Sequence, residues 1–432
     1  MNSAESAALS LVCKERFWQE SADSENSNLV LINTCSVRVT AEKRTLGRIA
    51  HYAALKKKGR NFCLVIAGCM AQRLGGTLKE KFPQIDYVMG TSSRSFFPLI
   101  LEAVEKGTKA DADFCEDPVF TFSHSHLEEG QFRSFIPIMH GCNNFCSYCI
   151  VPYVRGREIS RDPKNIAEEI RLVGERGVRE ITLLGQNVNS YLWEKDESAK
   201  VNFSTLMKIV SQEAQKSGIK WIRFLSANPR NFSTDAVRVM AENPAFCRHL
   251  HLPVQHGSNS ILKAMNRGYS IEKYLELVKE IRSAMPEITL STDILVGFPG
   301  ETEDDVEKTL QLMEEVKFLY SFMYHFNPRE GTAAYDLPDR IAEEVKKERL
   351  SRVIALQKKH TSQLLKSRIG STETVLIEGI SRKNADELIT RTEKDEMVVV
   401  PGEKSMIGSF ATVTLSSLKG NTFRGDLQCP GG

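Results

Sequence analysis

Between Asn28 and Phe326 short apolar runs alternate with longer stretches of helical periodicity, and no other feature of the sequence restricts the fold so tightly. Parallel strands buried on both faces read as near-continuous apolar runs, and each needs a crossover, usually a helix, before the next. In the first part, strands are expected at Leu29–Thr34, Phe62–Ala67 and Tyr87–Gly90, with helices at Val39–Lys58, Ala71–Lys81 and Ser95–Lys106. That order predicts a doubly wound parallel sheet. After a polar, weakly periodic segment the alternation resumes with strands at Ser134–Met139, Glu180–Leu184, Trp221–Leu225, His249–Val254, Ile288–Leu295 and Tyr320–Phe326. Six such units predict an incomplete parallel barrel, short of the eight that close one, with its active site at the carboxyl ends of the strands.

At 432 residues the chain has room for about three domains. The expected boundaries are 1–108 for the first sheet, 109–132 for a linker, 133–368 for the barrel with a charged helix over 340–368, and 370–432 for a small all-β barrel. This last unit reads as short strands rich in Val, Thr and Ile between Gly, Asn and Ser turns. The overall class is α/β. An apolar fraction of 41% and a charged fraction of 26% exclude a disordered or collagen-like chain. No apolar run reaches the length of a membrane span and residues 1–10 lack a secretory pattern, so a cytoplasmic protein is expected. There is no internal repeat.

Ten cysteines in a reducing compartment read as metal or catalytic residues where they cluster. Cys142-Asn-Asn-Phe-Cys146-Ser-Tyr-Cys149 puts three of them on a loop directly after the first barrel strand. Three thiolates on one loop can hold a four-iron cluster and leave one iron open to a substrate or cofactor. Zinc, with His140 as a further ligand, is the competing assignment. Cys35 and Cys69 each follow a strand of the first sheet, so both can face one crevice. Cys13, Cys63, Cys115, Cys247 and Cys429 read as thiols of apolar cores.

At the three-cysteine loop, with Tyr148 before its last cysteine, the sequence resembles the radical S-adenosylmethionine enzymes. The resemblance implies that the open iron chelates S-adenosylmethionine, whose one-electron cleavage releases a 5'-deoxyadenosyl radical. His140–Arg161, Leu183–Tyr191, His251–Tyr269 and Ser291–Asp305, with NTCSVR at Asn33–Arg38 and AGCMAQR at Ala67–Arg73, further resemble the methylthiotransferases. The C-terminal barrel is similar to their RNA-binding TRAM domain, and the first sheet to a flavodoxin-like domain. GREISR and QHGSN are most similar to the enzymes that convert N6-isopentenyladenosine at position 37 of transfer RNA to its 2-methylthio derivative. The nearest alternative substrates are N6-threonylcarbamoyladenosine and a ribosomal-protein aspartate; a catalytically impaired RNA-binding iron–sulfur protein is the alternative of another class.

The resemblance implies two [4Fe-4S] clusters, the second auxiliary and held by three cysteines. Cys35 and Cys69 match two of these. The third belongs to a Gly-Cys-Gln-Met-Asn segment ending the family's first strand, whereas here the sequence opens Met1-Asn2-Ser3. The expectation is a true start upstream, without which the first sheet lacks an interior strand and its neighbours lose ladder hydrogen bonds. S-adenosylmethionine contacts are expected from Tyr148, Gln186, Asn187, Asp293, Gly297 and Gly300, with Glu301 beside the last two. Gly297 and Gly300 read equally well as turn punctuation, whereas Asp293 in an apolar strand needs a reason to be there.

The net charge of +2 is uninformative, but residues 38–60 carry eight basic side chains against Glu42 alone, and residues 340–368 carry nine against three acidic ones. Both runs can contact phosphates. Residues 371–432 hold seven basic and nine acidic side chains, so an RNA role there rests on the resemblance, through Arg382, Lys383 and Arg391. The expected partners are the anticodon stem-loop of transfer RNA and a flavodoxin or ferredoxin electron donor, for a monomer without membrane contact.

Overall fold

The computed structural model describes residues 2–36, 39–112, 120–122, 130–195 and 200–428. Arg38, Cys115, Cys429 and most of the linker lie outside them.

The first sheet has strands β1 (Leu29–Thr34), β2 (Cys63–Gly68) and β3 (Tyr87–Met89), all parallel and in that order. Both faces are covered. Helices α2 (Val39–Lys57) and α3 (Cys69–Lys81) bury Ile49, Met70 and Leu78 against Leu64 and Ile66. Helices α1 (Asn2–Glu15) and α4 (Phe97–Lys106) bury Leu9, Phe97 and Leu101 against Val65 and Ala67. This is the doubly wound arrangement the periodicity predicts. β1 and β2 pair directly from Leu29↔Cys63 to Thr34↔Gly68, so the ladder between them is complete where an interior gap was expected.

The barrel strands are β4 (Arg133–Pro137), β5 (Glu180–Leu184), β6 (Trp221–Phe224), β7 (His249–His251), β8 (Thr289–Val296) and β9 (Tyr320–His325). They form two parallel three-stranded sheets, β6-β5-β4 and β7-β8-β9. Ile222 joins the two sheets, donating to the Ala245 carbonyl and accepting from the Cys247 amide at 2.7 and 3.1 Å. Among the described residues β4 and β9 do not pair, so six strands leave the barrel open on one side. Helices α6 (Pro163–Glu175), α7 (Phe203–Lys216), α8 (Thr234–Glu242), α10 (Ile271–Ala284), α11 (Glu303–Val316) and α12 (Glu343–Lys366) wrap it, with Asp162, Asn202, Ser233, Ser270 and Thr302 capping the first five. The C-terminal unit closes as β10 (Thr372–Ile380), β11 (Glu387–Thr392), β12 (Met397–Pro401), β14 (Thr422–Leu427) and β13 (Phe410–Lys419), in that spatial order. Among the described residues no helix is long and apolar enough to cross a membrane.

Candidate active site at the mouth of the barrel

The three-cysteine loop leaves the barrel at Gly141, whose φ of +77° favours glycine; a Cβ there would lie 1.9 Å from the Arg157 carbonyl oxygen. The loop is pinned from outside. Ser147 donates its amide to Met265 O at 3.0 Å and its hydroxyl to Ala264 O at 2.8 Å, both at the end of α9 (Asn259–Ala264), and it accepts from the Ala334 amide at 2.7 Å. Asn266 Nδ2 donates to the Asn144 and Phe145 carbonyls.

Cys142 and Cys146 are buried. Arg267 Nη1 lies 3.3 Å from Cys146 Sγ and Asn144 Nδ2 lies 3.5 Å from Cys142 Sγ. Burial pushes the Cys142 thiol up, and burial together with the neighbouring Cys146 and Cys142 pushes Cys149 up to about 12. Three thiolates this close repel one another unless a cation joins them, and the all-sulfur donor set suits a polynuclear iron–sulfur cluster. Among the described residues no three His, Cys, Asp or Glu groups converge on a single metal ion. His140, the ligand a zinc site would need, is instead stacked on Phe120 with ring centroids 3.8 Å apart, and its electrostatic neighbours are Arg155, Glu5 and Arg94.

Cys69 packs against Ile150 and Val154, the latter in α5 (Val151–Arg155), which follows directly on Cys149. The two groups of cysteines therefore share one apolar partition. Gly68 ends β2 with φ +94°, and a Cβ there would meet Asn33 Oδ1 at 2.5 Å and Thr34 O at 2.6 Å, so the strand ends carrying Cys35 and Cys69 are pressed together. The Thr34 hydroxyl ties them, donating to Ala67 O and accepting the Met70 and Ala71 amides at the start of α3. Burial raises the Cys69 thiol; the nearby Arg155 guanidinium lowers it in part, and Cys35 lies close enough to act on it.

Two carboxylates, Glu5 buried and Glu42 half-buried, fasten this domain over the mouth. Glu5 binds Arg155 at 2.7 Å and Arg94 at 2.6 Å, and despite the cost of burial these cations hold it at about 2. Glu42 accepts from Ser36, Arg73 and Arg329, the last reaching across from the segment after β9 at 2.9 Å.

Inside the barrel lies a cavity of about 1540 Å³. Tyr148 and Asp293 line it, as do His251, Leu225, Phe322 and, at the rim, Lys43. Asp293 Oδ1 stands 3.6 Å from His251 Nε2. Gln186 and Asn187 sit elsewhere, beside the cysteine loop: Glu158 accepts from the Asn143 amide at 3.1 Å and from Asn187 Nδ2 at 3.0 Å. Both amide atoms of Gln186, and Asn187 Oδ1, are buried without a partner. Buried polar groups are nearly always bonded, so these atoms are free to take a polar ligand. Gly297 and Gly300 lie in a turn with φ of +72° and +80°. The Gly297 amide is already taken by the Glu301 carboxylate, at 2.8 and 2.9 Å to its two oxygens. Glu301 also holds His256 at 3.0 Å and Arg349 at 2.8 Å, and Asp305 accepts from Ser258 at 2.5 Å. The QHGSN and GFPGETEDD segments thus interlock.

The C-terminal barrel stops the cavity at the opposite end. Arg391 of β11 reaches Glu180 at 2.6 Å, Glu378 at 2.7 Å and Asp395 at 3.0 Å. Arg223 binds Glu180 and the Thr392 and Glu393 carbonyls. Tyr320 OH donates to Asp395 at 2.7 Å and lies 3.0 Å from His249 Nε2. Trp221, Cys247, Leu376 and Phe410 seal the apolar part of the contact. Arg391 is therefore a wall residue, surrounded by carboxylates, and this corrects its reading as an RNA contact; Arg382 and Lys383 are exposed. The basic run over 340–368 is likewise absorbed: Arg349, Arg352, Lys359 and Arg368 pair with acidic residues of the barrel units. In the other run Lys56 pairs with Asp86, but Lys43, Arg44, Arg48, Lys57 and Lys58 have no ion pair among the described residues. Cys13 and Cys63 pack at the edge of the first sheet's core, as read from sequence.

Arg267, Arg155 and Glu158 escaped the sequence reading. All three lie within the motifs quoted, but their immediate neighbours, Val154 and Gly156, Arg157 and Ile159, Asn266 and Gly268, give no signal that singles them out.

A six-stranded parallel barrel with three thiols on the loop after its first strand defines a radical S-adenosylmethionine protein. Residues 136–313 match the Radical SAM superfamily, residues 1–90 a family described as uncharacterized protein family UPF0004, and residues 366–427 the TRAM domain. The chain is 49% identical to a tRNA-2-methylthio-N(6)-dimethylallyladenosine synthase of Treponema denticola, over 99% of this chain and 98% of that protein. It is 39% identical to a protein of the same name from Clostridium botulinum, over 98% and 93%. In fold it is similar to the radical S-adenosylmethionine methyltransferase TsrM of Kitasatospora setae, with a TM-score of 0.60 at 14% identity over 76% of this chain and 73% of that one. The chain belongs to the tRNA methylthiotransferase family of radical S-adenosylmethionine enzymes.

Proposed function

We propose that this enzyme replaces the C2 hydrogen of N6-isopentenyladenosine, in the anticodon loop of a transfer RNA, with a methylthio group. The observation that carries this reading is the meeting of two cysteine groups: Cys69 packs on Ile150 and Val154, just after Cys149 of the loop with Cys142 and Cys146, and Cys35 lies close enough to Cys69 to act on it. Cys142, Cys146 and Cys149 would hold the [4Fe-4S] cluster that the family implies, and Cys35 and Cys69 an auxiliary one. When bound, the first cluster and S-adenosylmethionine supply a carbon radical able to take hydrogen from an unactivated carbon, fed by a flavodoxin or ferredoxin.

The protein's own groups do the rest. Arg267 steadies the Cys146 sulfur with its N–H. Gln186 and Asn187 offer unsatisfied amide groups beside Cys142 for the cofactor's polar end. Asp293 and His251 offer an acceptor and a donor to the base, and Phe135, Leu225 and Phe322 give the wall a hydrocarbon surface that suits an isopentenyl group. A base in a single-stranded loop can be unstacked into such a cavity at modest cost. Unpaired cations on α2, with Lys43 at the cavity rim, suit the phosphates around it.

Anaerobic reconstitution tests the chemistry: about eight irons per chain and 5'-deoxyadenosine formation are expected for two four-iron clusters. Zinc in place of iron would overturn it. Mass spectrometry of transfer RNA nucleosides from a deletion strain tests the substrate. Loss of the 2-methylthio group from isopentenyladenosine is expected, and loss from threonylcarbamoyladenosine instead would reassign it.

A further inference from the structure

The loop that carries the cysteines also builds a surface that the proposed chemistry leaves unused. Phe145 lies between Cys142 and Cys146 with φ of +45°, a left-handed backbone uncommon for an aromatic residue and held by Asn266 through the Phe145 carbonyl. Its ring meets Tyr153 edge-on, with centroids 5.8 Å apart and planes at 89°. The Arg157 guanidinium lies 4.5 Å over the Phe145 ring. Tyr153 is 54% exposed, and Arg157 is exposed with no carboxylate partner among the described residues.

An exposed tyrosine face and a guanidinium with one side stacked and the other open are the two surfaces on which unpaired bases stack in RNA complexes. A protein partner would be expected to offer carboxylates to Arg157. The surroundings favour a polyanion instead, because four cations without an ion pair among the described residues, Lys43, Arg44, Arg48 and Lys57, lie on α2, Lys58 follows directly, and Lys43 lines the cavity. The platform is also rigidly tied to the reacting end of the molecule. The Arg157 carbonyl is the atom that forbids a side chain at Gly141, and Tyr148, which lines the cavity, is three residues beyond Phe145.

We propose that Tyr153 and Arg157, braced by Phe145, stack a nucleotide next to the target adenosine and so hold the loop open while the target enters the cavity. This rests on the reading of the enzyme as acting on an anticodon loop, and it assigns Tyr153 and Arg157 as positioning residues for RNA.

The test uses the reconstituted full chain and an anticodon stem-loop hairpin carrying isopentenyladenosine. In Tyr153→Ala and Arg157→Ala the Kd for the hairpin is expected to rise roughly 5- to 100-fold, the range stacking on one base spans. Tyr153→Phe, which keeps the ring, is expected to stay within about twofold, and cleavage of S-adenosylmethionine without RNA to be unchanged in all three. A hairpin affinity unchanged in both alanine variants, with iron content intact, overturns the platform while leaving the proposed reaction standing. A wild-type protein that neither binds nor methylthiolates the hairpin overturns both.

Discussion

The two ends of the barrel are built from the same materials and put to opposite uses. At the floor, Arg391, Arg223 and Arg133 meet Glu180, Glu378 and Asp395 in a network whose charges are mutually neutralised and whose rim is sealed by Trp221 and Phe410. At the mouth, Glu5 with Arg155 and Glu42 with Arg329 fix the first domain in place, yet the Gln186 side-chain amide and Asn187 Oδ1 beside the cysteine loop stay buried without a partner. A satisfied network is a wall, and an unsatisfied one is a site. The difference lies in whether every polar group has been given a neighbour within the chain.

The comparison can be broken first at the floor. Arg391→Met removes the shared partner of three carboxylates and should cost about 3–5 kcal/mol in denaturant unfolding, since breaking a buried pair strands the remaining charge. A loss below about 1 kcal/mol would mean that the apolar rim alone holds the two barrels together. Glu5→Gln should cost up to roughly 3 kcal/mol at neutral pH, the value of lowering a carboxyl from 4.5 to about 2. That contribution is present above pH 4.5 and fades as acid brings the folded carboxyl toward protonation, so variant and parent should converge near pH 2.

Acid should therefore reach both ends of the barrel through their buried histidines, His140 at the mouth and His249 at the floor, before it reaches Glu5. Burial holds His249 at about 3 against an ordinary 6.5, so folding keeps it neutral, and stability erodes as pH falls below 6.5 and the unfolded chain takes up the proton. His249→Asn should flatten the slope between pH 6.5 and 4.5, and an unchanged slope would place the acid-sensitive group elsewhere. Glu42→Gln should cost about 1–2 kcal/mol and show itself as faster proteolysis between the first domain and the barrel. Smallest of all, Arg382→Ala should leave stability within about 0.5 kcal/mol, as expected for an exposed charge without a buried partner.

The strands were legible because parallel strands announce themselves as apolar runs; the expected run at 249–254 is longer than β7 because past His251 the chain stays buried beside β8 but keeps only scattered bonds to it, from Leu252 to Ser291 O and from Gln255 to Asp293 O. Tyr148 and Asp293, expected as cofactor contacts, both line the cavity, and the three cysteines sit on one loop after β4, because spacing within a few residues survives folding. What sequence could not show was which charge meets which. Arg329 and Glu42 are 287 positions apart and Arg391 and Glu180 are 211 apart, and no local pattern encodes such pairs. A local charge count therefore treated residues 340–368 and α2 alike, although folding neutralises most of the first and leaves much of the second bare.

The stopper at the bottom of the chamber comes from residues 372–427, downstream of every strand it seals. Until residues 372–427 have been made, nothing can close the lower end of the chamber, because Arg391, the partner of Glu180, is among them.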